Sequence, residues 1–234
     1  MEHKLEWLSE EEGRLAFYEK SEQVLSADIF ITGEEAAEFK IQDVVFEDKS
    51  TKNNNLQKEI ILRMTECLPE CFRLLWEEGF NEVVLVEQQG TKIAEILDST
   101  AVVQKLYSEY MMKCHFNPQN STDCGLDFIK LTKTEDGYVC ENHEKSFVCR
   151  LLFYEAECQE EQCYYLYEVE VKKKNRNKGV ATKCLTALFS LLAQNVPLTV
   201  YLQVGSYNEP AVHLYKKLGF EISEELGYYV LPEE

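Results

Sequence analysis

Two short stretches of the chain hold residue types whose spacing suits chemistry. The first begins with Val169-Glu170-Val171, which ends a β-rich run, and continues after a few lysines into Arg176-Asn177-Lys178-Gly179-Val180-Ala181. From there to Gln194, apolar Val180, Cys184, Leu185, Leu188, Leu191 and Leu192 recur at helical spacing. A strand, a glycine-containing turn and a helix N-terminus form an anion site, because the first-turn amides lack intrahelical partners and the helix dipole favours negative charge. Gly179 lets the backbone approach a phosphate closely, small Ala181 leaves the way open, and Thr182 continues the turn. Alone, this arrangement also fits an ordinary strand-to-helix connection.

The second stretch runs Ser206-Tyr207-Asn208-Glu209-Pro210-Ala211-Val212-His213-Leu214-Tyr215-Lys216-Lys217-Leu218-Gly219-Phe220. Asn208 is a good helix cap, Pro210 suits the first turn, and Gly219 is the expected left-handed stop. The short helix puts Ala211 and Tyr215 on one face, four residues apart. Helix punctuation accounts for the Asn, Pro and Gly, but not for Asn, Ala and Tyr together.

The elements that must position these stretches read as one pattern used twice. Arg14-Leu15-Ala16-Phe17-Tyr18-Glu19 is echoed by Arg150-Leu151-Leu152-Phe153-Tyr154-Glu155. Each strand-like run is followed by a second one (Phe39 to Phe46; Tyr164 to Val171), then by a long helix. A short buried strand comes next (Glu82 to Glu87; Leu198 to Val204), then a shorter helix (Thr100 to Met112; Pro210 to Leu218) and a closing strand (Leu126 to Thr132; Gly227 to Leu231). The polar stretch Lys133 to Gly137 reads as the boundary between domains 1–134 and 135–234.

Arg-x-x-Gly-x-Ala followed by Asn-x-x-Ala-x-x-x-Tyr-x-x-x-Gly-Phe resembles the GNAT superfamily, the acyl-coenzyme A-dependent N-acetyltransferases, over about residues 140–231. The resemblance implies an α/β (α+β) fold: two tandem GNAT-like domains, each a mixed, mostly antiparallel twisted sheet with flanking helices and a central parallel strand pair. It implies acetyl-coenzyme A as co-substrate, with no metal. The main chain of Val169 and Val171 would pair with the pantetheine arm. The loop Arg176, Asn177, Lys178, Gly179, Val180, Ala181 and Thr182 would cradle the pyrophosphate. Asn208 and Ala211 would hold the pantetheine end, and Tyr215 would give a proton to the departing thiolate. For the general base the candidates are Glu168 and Glu170, which alternate with Val169 and Val171, or a water path. The family often has Pro at the strand exit, where this chain has Lys173 or Lys174.

The first copy repeats the order without the chemistry. It has Ser50 to Asn55 where the second has its glycine loop, Pro69 expected to kink or split its long helix, and Gln104, Met111 and His115-Phe116 opposite Asn208, Tyr215 and Gly219-Phe220. It therefore resembles a degenerate GNAT-like domain. Neither copy shows a helical segment between its first two strands, so the partner domain is the candidate to wall the acceptor site.

Bulk composition narrows the partners. Lys172 to Lys178 carries five positive charges, but a net charge of −18 argues against nucleic-acid binding and leans toward a cationic amine acceptor. Nine scattered cysteines without a Cys-x-x-Cys pair read as reduced, structural thiols, with Cys140/His143 only a weak metal pair. No apolar run spans a bilayer and the acidic N-terminus does not read as a signal peptide, so the expectation is a cytoplasmic protein, monomer or homodimer, away from membranes. The expected function is direct acetyl transfer to a primary amine. The alternative is a non-catalytic acyl-coenzyme A sensor or interaction module.

Overall fold

A computed structural model describes residues 1–44, 54–117, 126–154, 162–194 and 196–232. In chain order the elements are β1 (Glu2–Trp7), β2 (Glu12–Glu19), β3 (Glu22–Ile31), β4 (Ala36–Val44), α1 (Asn54–Glu77), β5 (Glu82–Gln88), α2 (Lys92–Ser99), β6 (Gln104–Phe116), β7 (Ile129–Lys133), β8 (Gly137–Asn142), β9 (Phe147–Phe153), β10 (Gln162–Val171), α3 (Val180–Leu192), β11 (Leu198–Gly205), α4 (Glu209–Lys217) and β12 (Glu221–Val230). They form two compact units, one of Met1–Ser108 with Leu226–Glu234, the other of Glu109–Glu225. Among the described residues no helix is long and apolar enough to cross a membrane.

In the first unit the strands run β1-β2-β3-β4-β5-β12, antiparallel except for β4 and β5, which are parallel from Ala36↔Glu82 to Phe39↔Leu85. Alternation places Leu15, Phe17, Leu25, Ala27, Ile29, Phe39 and Ile41 on one buried face. Met64, Leu68, Phe72 and Leu75 of α1 cover it, Phe72 meeting Phe39 edge-on at 5.0 Å. Pro69 does not split this helix, which runs unbroken from Asn54 to Glu77. The turns on both sides of the proline are anchored in the same core, and that burial outweighs one lost backbone bond.

The second unit orders its strands β6-β11-β10-β9-β8-β7, with β10 and β11 the parallel pair. Cys184, Leu185, Leu188 and Phe189 of α3 and Val212 and Tyr215 of α4 share one core with Met112, Cys114, Val200, Leu202 and Leu151. The mixed α/β architecture, with a central parallel pair in each unit, is the one expected.

The division of the chain differs from the expected 1–134 and 135–234. The segment Thr100 to Met112, expected as a helix, is a short bend leading into β6 from Gln104, and residues 109–116 of that strand pair with β11 along its whole length, from Glu109↔Gly205 to Phe116↔Leu198. The short helix of the first unit is α2 instead, capped by Thr91 and apolar at Ile93, Ile96 and Leu97. The expected closing strand of the first copy, Leu126 to Thr132, is a 3-10 turn at Leu126–Phe128 followed by β7, which pairs with β8 in the second unit. Residues 226–229 of β12 take the closing position beside β5. Lys133 to Gly137 is the tight turn joining β7 to β8, where the Thr134 N–H donates to the Gly137 carbonyl at 3.0 Å. Gly137 is required there by close approach, since an added Cβ would lie 1.9 Å from the Leu151 carbonyl oxygen.

Candidate functional site

The two parallel strands of the second unit pair only from Gln162↔Leu198 to Tyr165↔Tyr201. Beyond that β10 continues to Val171 and β11 to Gly205 without pairing to each other, which opens a cleft at their C-terminal ends. A β-bulge lies on this free part of β10: Tyr167 is opposite Arg150 and Glu170 opposite Val148, so three steps on β10 match two on β9. Glu168 sits in the bulge at φ +49°. Its carboxylate accepts from Arg150 Nε at 2.5 Å. By register Glu170 shares the face of Tyr165 and Tyr167, while Val169 and Val171 pack on the core.

Past Val171 the chain is pinned twice before the helix. The Lys172 N–H donates to the Ser146 carbonyl at 2.9 Å, and Arg176 Nε donates to the Val171 carbonyl at 3.0 Å. Ser146 is fixed in turn by the buried Asn142, whose Oδ1 accepts from the Ser146 and Phe147 amides. Asn177 (φ +60°) and Gly179 (φ +74°) turn the backbone into α3, and nothing lies within 4 Å of a Cβ added at Gly179. The first intrahelical bond here runs from the Lys183 N–H to the Gly179 carbonyl, which leaves the amides of Val180, Ala181 and Thr182 at the helix start. Lys172, Lys173, Lys174, Arg176 and Lys178 are exposed around this turn. Open space at a left-handed glycine, unbonded amides and exposed cations fit a pyrophosphate-bearing co-substrate.

After β11, Asn208 caps α4: its Oδ1 accepts from the Ala211 N–H at 3.4 Å, and its own N–H donates to the Gly205 carbonyl at 2.9 Å. Asn208, expected both as a helix cap and to help hold the pantetheine end, caps α4 through its carboxamide oxygen. Tyr215 is 7% exposed, its ring centroid 5.7 Å from that of Phe220. Burial, then the neighbourhood of Cys149 and Tyr165, pushes its phenol up to about 12. It therefore keeps its proton through the neutral range.

The structure places the expected loop residues Arg176 to Thr182 at the end of β10, and Asn208, Ala211 and Tyr215 on the helix that follows β11. Both parallel strands therefore deliver their candidates at the same end of the sheet. The sequence reading missed the bulge, which has no residue signature. Among the cysteines, 67, 71, 114, 140, 149 and 184 are buried free thiols, as expected. Cys163 departs from that expectation, being disulfide-bonded. Cys124, Cys158 and most of the Ser50 to Asn55 loop lie outside the described residues. Among the described residues no group of three or more potential ligands could hold a metal ion.

Solved structures share this fold at low sequence identity. A GCN5-related N-acetyltransferase from Sphaerobacter thermophilus superposes with a TM-score of 0.56 at 11% identity, over 97% of this chain and 83% of that one. A tandem GNAT protein from the clavulanic acid biosynthesis pathway gives 0.53 at 8% identity, over 95% of this chain and 84% of that one. A GCN5-related N-acetyltransferase from Kribbella flavida gives 0.54 at 9%, over 89% of this chain and 87% of that one. No curated protein matches by sequence. Residues 103–220 match the Acetyltransferase (GNAT) family, and that segment takes in β6 along with the cleft, the α3 loop and α4. With just over half its length matched, and with the two-domain fold of a tandem GNAT, the chain belongs to the GNAT acetyltransferase family.

Proposed function

We propose that this chain is an N-acetyltransferase that moves the acetyl group of acetyl-coenzyme A directly to a primary amine. The observation that carries the reading is the cleft where β10 and β11 part, with the amide-bearing start of α3 after one strand and the protonated phenol of Tyr215 after the other. Acetyl-coenzyme A supplies an acetyl group activated as a thioester. Gly179, Val180, Ala181 and Thr182 would hold its pyrophosphate by backbone amides, with Arg176, Asn177 and Lys178 beside them. The free edge of β10 at Val169 and Val171 would pair with the pantetheine arm, and Asn208 and Ala211 would border its far end. Amides released from the ladder by the Glu168 bulge would polarise the thioester carbonyl.

The attacking nitrogen must be neutral, so a base takes its proton as the carbon–nitrogen bond forms and the carbon–sulfur bond breaks. Glu168 is engaged with Arg150, which leaves Glu170 as the better side-chain base, with water as its competitor. Tyr215 gives its phenolic proton to the leaving sulfur. The first unit, in this reading, keeps the fold but not the cofactor loop.

The test is an acceptor screen that follows thiol release, with Tyr215→Phe as control. Turnover in the parent, lost in the variant while acetyl-coenzyme A still binds, is expected. A variant that turns over like the parent removes Tyr215 from the mechanism. Cofactor binding with no turnover over a broad amine panel leaves an acyl-coenzyme A sensor.

A further inference from the structure

The face of the second unit away from α3 and α4 carries a constellation outside the cofactor machinery. Strand register puts Glu109 opposite Gly205, Met111 opposite Gln203 and Lys113 opposite Tyr201, and Tyr165 opposite Tyr201 on the same face. Met112, Cys114, Val200 and Leu202 take the other face and fill the core. Glu109 accepts a hydrogen bond from Gln203 Nε2, which steadies a half-buried carboxylate. Gly205 has no side chain because the Tyr207 ring lies over it, 2.6 Å from where a Cβ would be. Tyr154 joins the group, its ring 5.2 Å from that of Tyr201 and 6.3 Å from that of Tyr165. Burial and then the Glu109 charge hold the Tyr165 phenol above its ordinary value.

A half-buried carboxylate with an aromatic ring beside it suits a cation. The reacting nitrogen gives up its proton in order to attack, so a charge that stays on the acceptor through the reaction belongs to a second nitrogen. Lys113, the next cation along this face of β6, is four residues away, about 13 Å at the rise of a strand, and does not neutralise Glu109. The acidity of the whole chain, −18, draws cations toward the surface.

We propose that Glu109, steadied by Gln203 and with the Tyr207 ring beside it over Gly205, where β11 ends past its parting from β10, binds the second positive charge of a small diamine acceptor. The inference rests on the acetyltransferase reading and adds the acceptor class and the residue that selects it. Glu109 comes from β6, N-terminal to the segment in which the sequence motifs lie.

The experiment uses the full chain with acetyl-coenzyme A, comparing 1,4-diaminobutane with 1-aminobutane. The parent is expected to prefer the diamine by about tenfold or more in kcat/KM, and Glu109→Gln to bring the ratio close to one, chiefly through KM. Glu109→Asp, which keeps the charge, should restore most of the preference. A ratio unchanged in Glu109→Gln, or no preference in the parent, overturns the proposal. So does a lysyl-arginyl peptide used better than any free diamine, since that points to a protein acceptor. If Glu109→Gln does not fold, salt on the parent reads the same charge: KM for the diamine must rise with ionic strength and that for the monoamine must not. Calorimetric binding of 1,4-diaminobutane separates the two readings. Binding weakened in Glu109→Gln without any turnover sustains the site and sinks the enzyme, whereas no binding to the parent sinks the site.

Discussion

Tyr165 and Tyr201 are the last partners that β10 and β11 share, and the candidates for cofactor binding in the second unit follow Tyr165 on one strand and its turn, or Tyr201 on the other. Two parallel strands that part in the middle leave backbone groups unpaired, and such groups need a partner from outside the sheet. The α3 turn and Tyr215 follow the parted ends, so the chemistry is set by where pairing stops.

Replacing Tyr215 by Phe should lower kcat by about a hundredfold, the scale of a lost general acid, with little change in the Kd for acetyl-coenzyme A. Because burial has pushed the phenol up to about 12, no falling limb from this group is expected in the kcat profile below about pH 10. Stopped-time assays across pH 6 to about 10 check both points.

Glu170→Gln should reduce kcat by at least tenfold, whereas Glu168→Ala should leave it within a few-fold of the parent. The second substitution breaks only an exposed ion pair to Arg150 and should leave the urea midpoint close to the parent's. Glu168→Gly should be neutral or mildly stabilising, because it relieves the φ of +49°. An equal loss of activity in both alanine and glutamine variants would point to the bulge backbone instead.

Gly179→Val should weaken acetyl-coenzyme A binding by tenfold or more and cost about 1–2 kcal/mol of stability. Space is open around the position, so the stability cost comes from φ +74° alone and the binding cost from a side chain where the backbone must be approached. Calorimetry with coenzyme A and a urea midpoint separate the two.

Stability should fall as pH rises above about 9. Burial pushes the thiols of Cys67 and Cys114 up to about 11 and that of Cys184 to about 12, from ordinary values of 9.0. The unfolded chain releases these protons first, so between the unfolded and folded values the native state binds more protons and loses ground with each pH step. Urea midpoints at pH 7 and about 10 measure it, and Cys184→Ala should flatten the slope.

A fragment of residues 135–234 should not fold, because it lacks β6, which pairs with β11 along its whole length from Glu109 to Phe116. Circular dichroism and solubility of that fragment, beside the full chain, decide it.

What was legible in the sequence is local. The α3 turn and α4 are written in adjacent residues by caps, a left-handed glycine and a helical repeat, and the structure has both at the expected positions. What was hidden is non-local. Gln104 to Phe116 carries apolar residues at spacings that suit either period, and only its partner β11, some 90 residues later, makes it a strand. Lys133 to Gly137 has the polar, glycine-ending composition of a linker and of a hairpin alike. Glu109 was invisible as a site residue for the same reason: its neighbours Gln203 and Gly205 belong to β11.

The last strand has a consequence for synthesis. The first unit takes its closing strand from residues 226–229, so β5 leaves the ribosome more than a hundred residues before the partner that covers its edge. Until residues 226–229 emerge, that edge offers unpaired amides to any other nascent strand. Yield of this protein should therefore depend on holdase chaperones, and a stop codon before Leu226 should cost the first unit its fold even though it deletes none of residues 1–108.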